Sequence, residues 1–316
     1  MKVITVTLNP SLERTMVVHH LASGYLNHTT EPTHLDAAGR GVNVSRALDA
    51  LNTHVEAVIL LGSDASGVAY RSLVEREPFS KHLIKVTGHT RSTIVIKDTA
   101  THQETYIVED NAGFDLNEVK QVARQVHQLI EPGDFVVYAG PLPRDVPDTI
   151  YLDLISQAQD AGARVVLDIP NHALHEAIKA KPRVVFLTQQ ELEGYFNFPV
   201  RQREDIIYCT QKLVEEGADR VVIMLNDFKG VVLATAEAIY TVDFPEIKVG
   251  THSGAVGAML AGYLAARVKE RPVARALRLG AAAALFAMEQ VGNKFSSVQE
   301  IKHYMRMVQV VELEKV

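Results

Sequence analysis

The feature that most constrains this chain is an end-to-end alternation of short apolar runs with helix-periodic segments. The runs Lys2–Thr7, Val55–Leu60, Asp134–Tyr138, Arg164–Leu167, Val184–Phe186 and Arg220–Leu225 are rich in Val and Ile and nearly continuous in apolar character. A strand with one wet face alternates apolar and polar residues, whereas a strand buried on both faces does not. Between these runs, Val42–Leu51, Gly67–Glu75, Leu116–Leu129, Thr149–Ala161, Ile206–Glu216, Gly254–Val268 and Val273–Met288 carry apolar residues at helical spacing. Such segments pack one stripe against a sheet. The pattern predicts an α/β fold, a mostly parallel sheet flanked by helices on both faces.

Two regions break the alternation. Thr15–His19 with Thr29–His34, and Ser92–Lys97 with Glu104–Val108, read as hairpin-like strand pairs with polar turns. They are too short and too polar for core strands. They predict a small β appendage, drawn from about residues 14–34 and 91–108. It is either a lid over a ligand or an edge extension or dimer contact, and both can hold together. No repeat, low-complexity tract or Pro/Gly-rich linker divides the chain, so residues 1–316 are expected to form one domain with a lid.

Composition narrows the function classes. The net charge is -6 and no stretch is dense in Lys and Arg, which argues against a nucleic-acid groove. A single cysteine, Cys209, allows neither an intrachain disulfide nor a cysteine metal cluster, and suits a reducing cytoplasm. The opening MKVITVTLNP does not read as a signal peptide, because its apolar alternation is short and runs into Asn9-Pro10. The longest uncharged run, Val249 to Ala266, is broken by Gly250, Thr251, His252 and Ser253. Its apolar part falls short of the ~20 residues that span a bilayer, so it is expected to be a loop entering a buried helix. A cytoplasmic protein with neither nucleic-acid nor membrane partners is expected.

The segment Ala37-Ala38-Gly39-Arg40-Gly41-Val42-Asn43-Val44-Ser45 is the first that suggests chemistry. Exposed backbone N–H groups at a helix start favour an anion or a row of hydroxyls, and Asn43 adds a donor and an acceptor. A tight turn with a helix cap explains the same residues equally well. A dinucleotide fingerprint does not fit, since the third glycine is missing.

Leu8-Asn9-Pro10-Ser11-Leu12-Glu13 precedes that segment; Leu61-Gly62-Ser63-Asp64-Ala65-Ser66-Gly67, Thr90-Arg91 and Gly140-Pro141-Leu142-Pro143 follow it. Together they resemble the PfkB (ribokinase-like) carbohydrate kinases from about Lys2 to Met307, most closely the branch of 1-phosphofructokinases and tagatose-6-phosphate kinases. The resemblance implies a ribokinase-like fold with a β lid, ATP and Mg²⁺ as cofactors, and a ketohexose phosphate as substrate. It also implies a homodimer through the lid. Its substrate-binding positions are Asn9, Glu13, Gly39, Arg40, Gly41, Asn43 and Arg91. Glu13 stands where the family carries a sugar-binding Asp, keeping the charge with a longer reach. Arg91 matches the arginine that grips the substrate phosphate, a task suited to its two parallel donors. Pro141 replaces a hydroxyl residue.

The second half departs from the family where phosphoryl transfer would occur. Active members carry T-x-GAGD, whose glycines form an anion hole and whose Asp takes the proton from the attacking hydroxyl. This chain reads Thr251-His252-Ser253-Gly254-Ala255-Val256-Gly257. Ala258-Met259-Leu260-Ala261-Gly262 fixes the register against the family's S-M-V-G-G. Gly254 and Ala255 are kept in the anion hole, Val256 replaces its second glycine, and Gly257 replaces the catalytic Asp. No Asp or Glu lies between Glu246 and Glu270, so no shift of register restores the base. His252 offers an imidazole, but five residues before Gly257 it is expected in the preceding loop, pointing elsewhere.

The nucleotide side has drifted too. The family's K-P-N-x-x-E reads Phe186-Leu187-Thr188-Gln189-Gln190-Glu191, so Glu191 remains as the possible metal residue while Thr188 replaces the Asn. The family's S-L-G-x-x-G turn becomes Met224-Leu225-Asn226-Asp227-Phe228-Lys229-Gly230, with Met224 and Asn226 in place of small residues. The expectation is a sugar-phosphate-binding member with impaired transfer. Its alternative is an active phosphofructokinase or tagatose-6-phosphate kinase using another base.

Overall fold

The computed structural model describes residues 1–110, 115–249, 254–290, 295 and 297–313. Thr251, His252 and Ser253 lie outside the described residues. The chain runs β1 (Val3–Thr7), β2 (Ser11–Val18), β3 (His34–Ala38), α1 (Arg40–Ala50), β4 (Val55–Gly62), α2 (Ala65–Val74), β5 (Ser80–Val86), β6 (Arg91–Asp98) and β7 (Gln103–Val108). It continues through α3 (Leu116–Leu129), β8 (Phe135–Ala139), α4 (Ile150–Asp160), β9 (Arg164–Asp168), α5 (Asn171–Ala177), β10 (Val184–Thr188), α6 (Gln189–Phe196) and α7 (Arg203–Glu216). The last part holds β11 (Arg220–Met224), β12 (Gly230–Thr235), β13 (Ile239–Asp243), α8 (Ala255–Arg267), α9 (Val273–Glu289), α10 (Val298–Met307) and β14 (Val310–Leu313).

Ten strands form the main sheet in the order β14-β13-β12-β11-β10-β9-β8-β1-β4-β5. It is parallel from β11 to β5 and antiparallel from β11 to β14. Side chains of each central strand alternate between two cores. Val42, Leu48, Leu260, Tyr263 and Leu277 cover one face through α1, α8 and α9. Val122, Leu154, Leu192 and Leu213 cover the other through α3, α4, α6 and α7. This two-sided burial is why the parallel strands read as unbroken apolar runs. The uncharged stretch after residue 254 is α8, buried along most of its length. It crosses α9 closely: a Cβ on Gly262 would sit 2.7 Å from the Gly280 Cα. Among the described residues no helix is long and apolar enough to cross a membrane.

The second sheet has the order β3-β2-β6-β7. Its composition differs in detail from the expected hairpins. β2 pairs antiparallel with β3 and parallel with β6, and only β6–β7 is a hairpin. The strand paired with β2 is His34–Ala38, past most of the expected Thr29–His34, although Thr30 N still donates to the Val17 carbonyl at 2.8 Å; the Arg46–Asp36 ion pair at 2.8 Å ties this strand to α1.

Candidate active site

The C-terminal ends of β1, β8, β9 and β10 meet the N-termini of α1 and α8, the usual ligand location in open α/β sheets. Two glycines allow α1 to approach. Gly39 has φ 151°, and a Cβ there would lie 2.9 Å from the Thr7 Cγ2; a Cβ on Gly41 would collide with the Thr7 hydroxyl. Asn9, just past β1, donates through Nδ2 to the Leu142 carbonyl at 2.9 Å, which joins the first motif to the Gly140–Pro143 loop. Gly140 donates to the Asp168 carbonyl at 2.8 Å.

Arg40 is held at the centre of this edge. Its Nη1 donates to Asp168 Oδ1 at 2.8 Å and its Nη2 to Glu191 Oε1 at 2.5 Å. The Asp168 charge, ahead of that of Glu191, holds the guanidinium above its ordinary range in spite of burial. Asp168 is 1% exposed. Burial pushes its carboxyl up to about 6 against the pull of Arg40, and Glu191 adds to the rise. Its Oδ2 is buried without a hydrogen-bond donor among the described residues. Asp168 was missed in the sequence. The available signal is a lone carboxylate closing a buried parallel strand at its C-terminal end.

One face of the second sheet lies over the neighbouring cleft. Alternation along paired strands puts Ser11, Glu13, Asp36, Arg91, Thr93, Lys97 and Glu104 on that face. The cleft is about 710 Å³ and is lined by Glu13, Asp36, Arg46, Lys97, Glu104 and Tyr106, among others. Burial, then Asp36, raises the Glu13 carboxyl above its ordinary range, against Lys97 and Arg46. Arg46, also missed, is a buried hub. It donates to Glu77 Oε1 at 2.8 Å, Asn43 Oδ1 at 3.1 Å and Asp36 Oδ1 at 2.8 Å. Asn43 is thereby tied to the cleft wall.

Arg91 shares the face of Glu13 but sits at the Asn9 end, outside the residues lining the cleft. Its Nη2 donates to the Asn9 carbonyl at 3.4 Å, and its Nε is buried without an acceptor among the described residues. Burial lowers its pKa, against the charge of Asp110. The Gly62–Gly67 motif fixes this corner. Asp64 Oδ1 accepts from Gly67 N at 3.2 Å, capping α2, and from Thr90 N at 3.0 Å.

Gly254 opens α8 in the left-handed region with φ 82°, a conformation natural to glycine. Ala255 is buried and Val256 packs against the core. Gly257 is in the first turn of α8, against α1. A Cβ on it would lie 3.4 Å from the Asn43 Cβ and 3.6 Å from Val44 N. Position 257 therefore aims a side chain at Asn43.

The nucleotide-side residues do structural work. Thr188 and Glu191 form the capping box of α6, with Glu191 Oε2 accepting from Thr188 N at 2.9 Å and Oγ1 at 3.0 Å. Met224 is buried in the core. Asn226 N donates to Gln189 Oε1 at 2.9 Å. Gly230 has φ 157° and leaves room for the Val242 carbonyl of β13.

These residues do not make a dedicated metal site. Both Glu191 oxygens accept from protein donors, and Asp168 Oδ1 accepts from Arg40. No group of three His, Cys, Asp or Glu that could hold a metal occurs among the described residues. A divalent ion would compete with the Arg40 guanidinium for Asp168 Oδ1 and Glu191 Oε1.

Residues 7–300 match the family model of the pfkB family carbohydrate kinases. The chain is 32% identical over 279 residues to the 1-phosphofructokinase of Bacillus subtilis (strain 168), covering 88% of this chain and 89% of that one. The crystal structure of Escherichia coli phosphofructokinase-2 in complex with substrates and products superposes with a TM-score of 0.89 at 26% identity, covering 97% and 99% of the two chains. A tetrameric inhibited form of the same enzyme superposes with a TM-score of 0.88 at 25% identity, covering 97% and 98%.

Proposed function

The chain belongs to the pfkB family of carbohydrate kinases, and from that premise we propose that it binds a ketohexose phosphate under the β sheet of the lid, with ATP-dependent transfer impaired at position 257. The observation that carries the reading is the direction of that position. The Gly257 α-carbon faces Asn43 of the sugar-side helix, yet brings no group that accepts a proton. Positioned base catalysis supplies ~10²–10⁴-fold in rate. Val256 adds a branched side chain where the family motif has glycine. The α8 N-terminus still attracts phosphate through its partial positive charge, but it activates no hydroxyl.

On the sugar side, Glu13 and Asn43 receive hydroxyls and Arg91 receives the phosphate. The unpaired, buried Nε of Arg91 supports this role, because such a donor is costly unless a ligand completes it. Both ATP and a divalent metal are general to the family. The Arg40 clamp on Asp168 and Glu191 argues that a metal here is weakly held. A lid-to-lid homodimer accounts for the half-exposed Tyr106, Ile107 and Val108 on β7. Calorimetry with fructose 1-phosphate, fructose 6-phosphate and tagatose 6-phosphate tests the reading: one of them binds saturably, and failure of all three removes it.

A second reading, an active kinase with another base, is favoured by Asp168. Burial pushes its carboxyl up to about 6, and one of its oxygens has no donor among the described residues. Asp168→Asn would then abolish turnover while sugar-phosphate affinity stays within about twofold.

A further inference from the structure

The opposite edge of the main sheet carries a concentration of arginine that the cleft does not use. Arg164 and Arg220 open β9 and β11, two strand positions apart across β10, about 10 Å by the usual interstrand spacing. Each alternates with a residue of the α8 core, Val166 and Val222, so both point to the α8 side. Arg267 ends α8 on that side, and Arg183 precedes β10 between the two strands. The sheet edge is a strand length, about 16 Å, from the cleft.

The available carboxylates do not neutralise this group. Asp219 serves both Arg183 at 2.9 Å and Arg220 at 3.7 Å. Glu270, largely exposed, reaches Arg164 only at 4.0 Å. Asp134, the buried acid of this edge, is taken by Lys2 at 3.0 Å. Arg267 has no carboxylate partner among the described residues, and its Nε is buried without an acceptor. Burial, then the charges of Arg220, Arg183 and Arg164, lower its pKa, against the neighbouring Tyr263. The Tyr263 hydroxyl is fully buried beside Arg220 and Arg267, and burial raises its pKa against the pull of both guanidinium groups. Arg164 is held over the Phe135 ring at 5.5 Å, which fixes its guanidinium plane.

Like charges held together around an Arg267 Nε that has no acceptor among the described residues, in a chain of net charge -6, point to a missing anion. The C-terminus of α8 opposes an anion with about half an elementary charge, which four guanidinium groups outweigh. We infer that Arg164, Arg183, Arg220 and Arg267 form a second binding site, distal to the cleft, for a compact multivalent oxyanion of the phosphate type. Planar guanidinium donors suit such oxygens.

The probe is inorganic pyrophosphate, titrated calorimetrically at low salt into wild type, Arg91→Ala, Arg183→Gln and Arg220→Gln/Arg267→Gln. Arg91→Ala separates this site from the proposed lid contact. Saturable one-to-one binding is expected in wild type and in Arg91→Ala. The double variant should lose at least tenfold in affinity, the low end for charge-assisted bonds. Arg183→Gln changes a side chain that is 41% exposed, so it reports even if the double variant does not fold; a severalfold loss is expected. Absence of saturable binding in wild type overturns the inference. So does binding abolished by Arg91→Ala and unchanged in Arg183→Gln.

Discussion

Restoring a carboxylate at position 257 is the perturbation whose consequence can be worked furthest. In Gly257→Asp, the new Cβ would meet the Asn43 Cβ at 3.4 Å and Val44 N at 3.6 Å, ordinary van der Waals separations. No backbone has to shift. Gly257 is the third residue of α8, where an acid is favoured by the helix dipole by about 0.3–1 kcal/mol. Asp is also a few tenths of a kcal/mol better than Gly in a helix. Burial of the carboxylate opposes these gains, so stability should change by no more than ~1 kcal/mol. The rate should change far more. A positioned base is worth ~10²–10⁴-fold, or about 2.7–5.4 kcal/mol of barrier. The assay is ADP release with ATP–Mg²⁺ and each of the three ketohexose phosphates. Gly257→Asp should raise turnover at least tenfold, and adding Val256→Gly should raise it further. An unchanged rate in a folded variant that still binds both ATP and sugar phosphate would show that position 257 does not limit transfer.

Arg91→Ala should weaken sugar-phosphate binding by ~1.5–3 kcal/mol, measured by calorimetry, if its contact is a charge-assisted hydrogen bond. Arg46→Met should destabilise by about 3 kcal/mol, the low end for removing one partner of a buried ionic network, because Asp36 and Glu77 keep 22% and 23% exposure. Denaturant unfolding checks that value. Asp168 predicts a pH dependence. Its folded carboxyl is raised from 3.8 to about 6, so between these values the folded state holds a proton that the unfolded state has released. Its contribution to stability is therefore greatest below the unfolded value and falls as pH rises through about 6. Asp168→Asn should remove that part of the slope, and parallel wild-type and variant stability curves between pH 4 and 6 would contradict it.

The parallel core was legible because burial on both faces leaves a local mark, apolar runs in β1, β8 and β10 broken only by Thr5, Thr7 and Thr188. The antiparallel edge was not. β12, β13 and β14 earn their strand geometry by pairing with β11 and one another, a tertiary fact. β5 reads SKHLIKV, with four hydrophilic residues among seven, and among the described residues pairs only along β4. The second sheet was legible as an interruption, but the extent of β3 was not, because its pairing with β2 is a tertiary contact. Asn9, Gly39 and Gly41 stood out through their motif, and the structure adds why: they dock α1 and the Gly140 loop onto β1. Asp168, Arg46 and Glu77 were illegible for a shared reason. Ionic partners far apart in sequence look like solvated charges until the fold brings them together.

Whether position 257 limits phosphoryl transfer is decided by the turnover of the unmodified protein with ATP–Mg²⁺ and fructose 1-phosphate, fructose 6-phosphate or tagatose 6-phosphate. With Gly257 in place of a base, turnover should lie ~10²–10⁴-fold below the ordinary kinase range of about 1–100 per second. Turnover within that range on any of the three would contradict it.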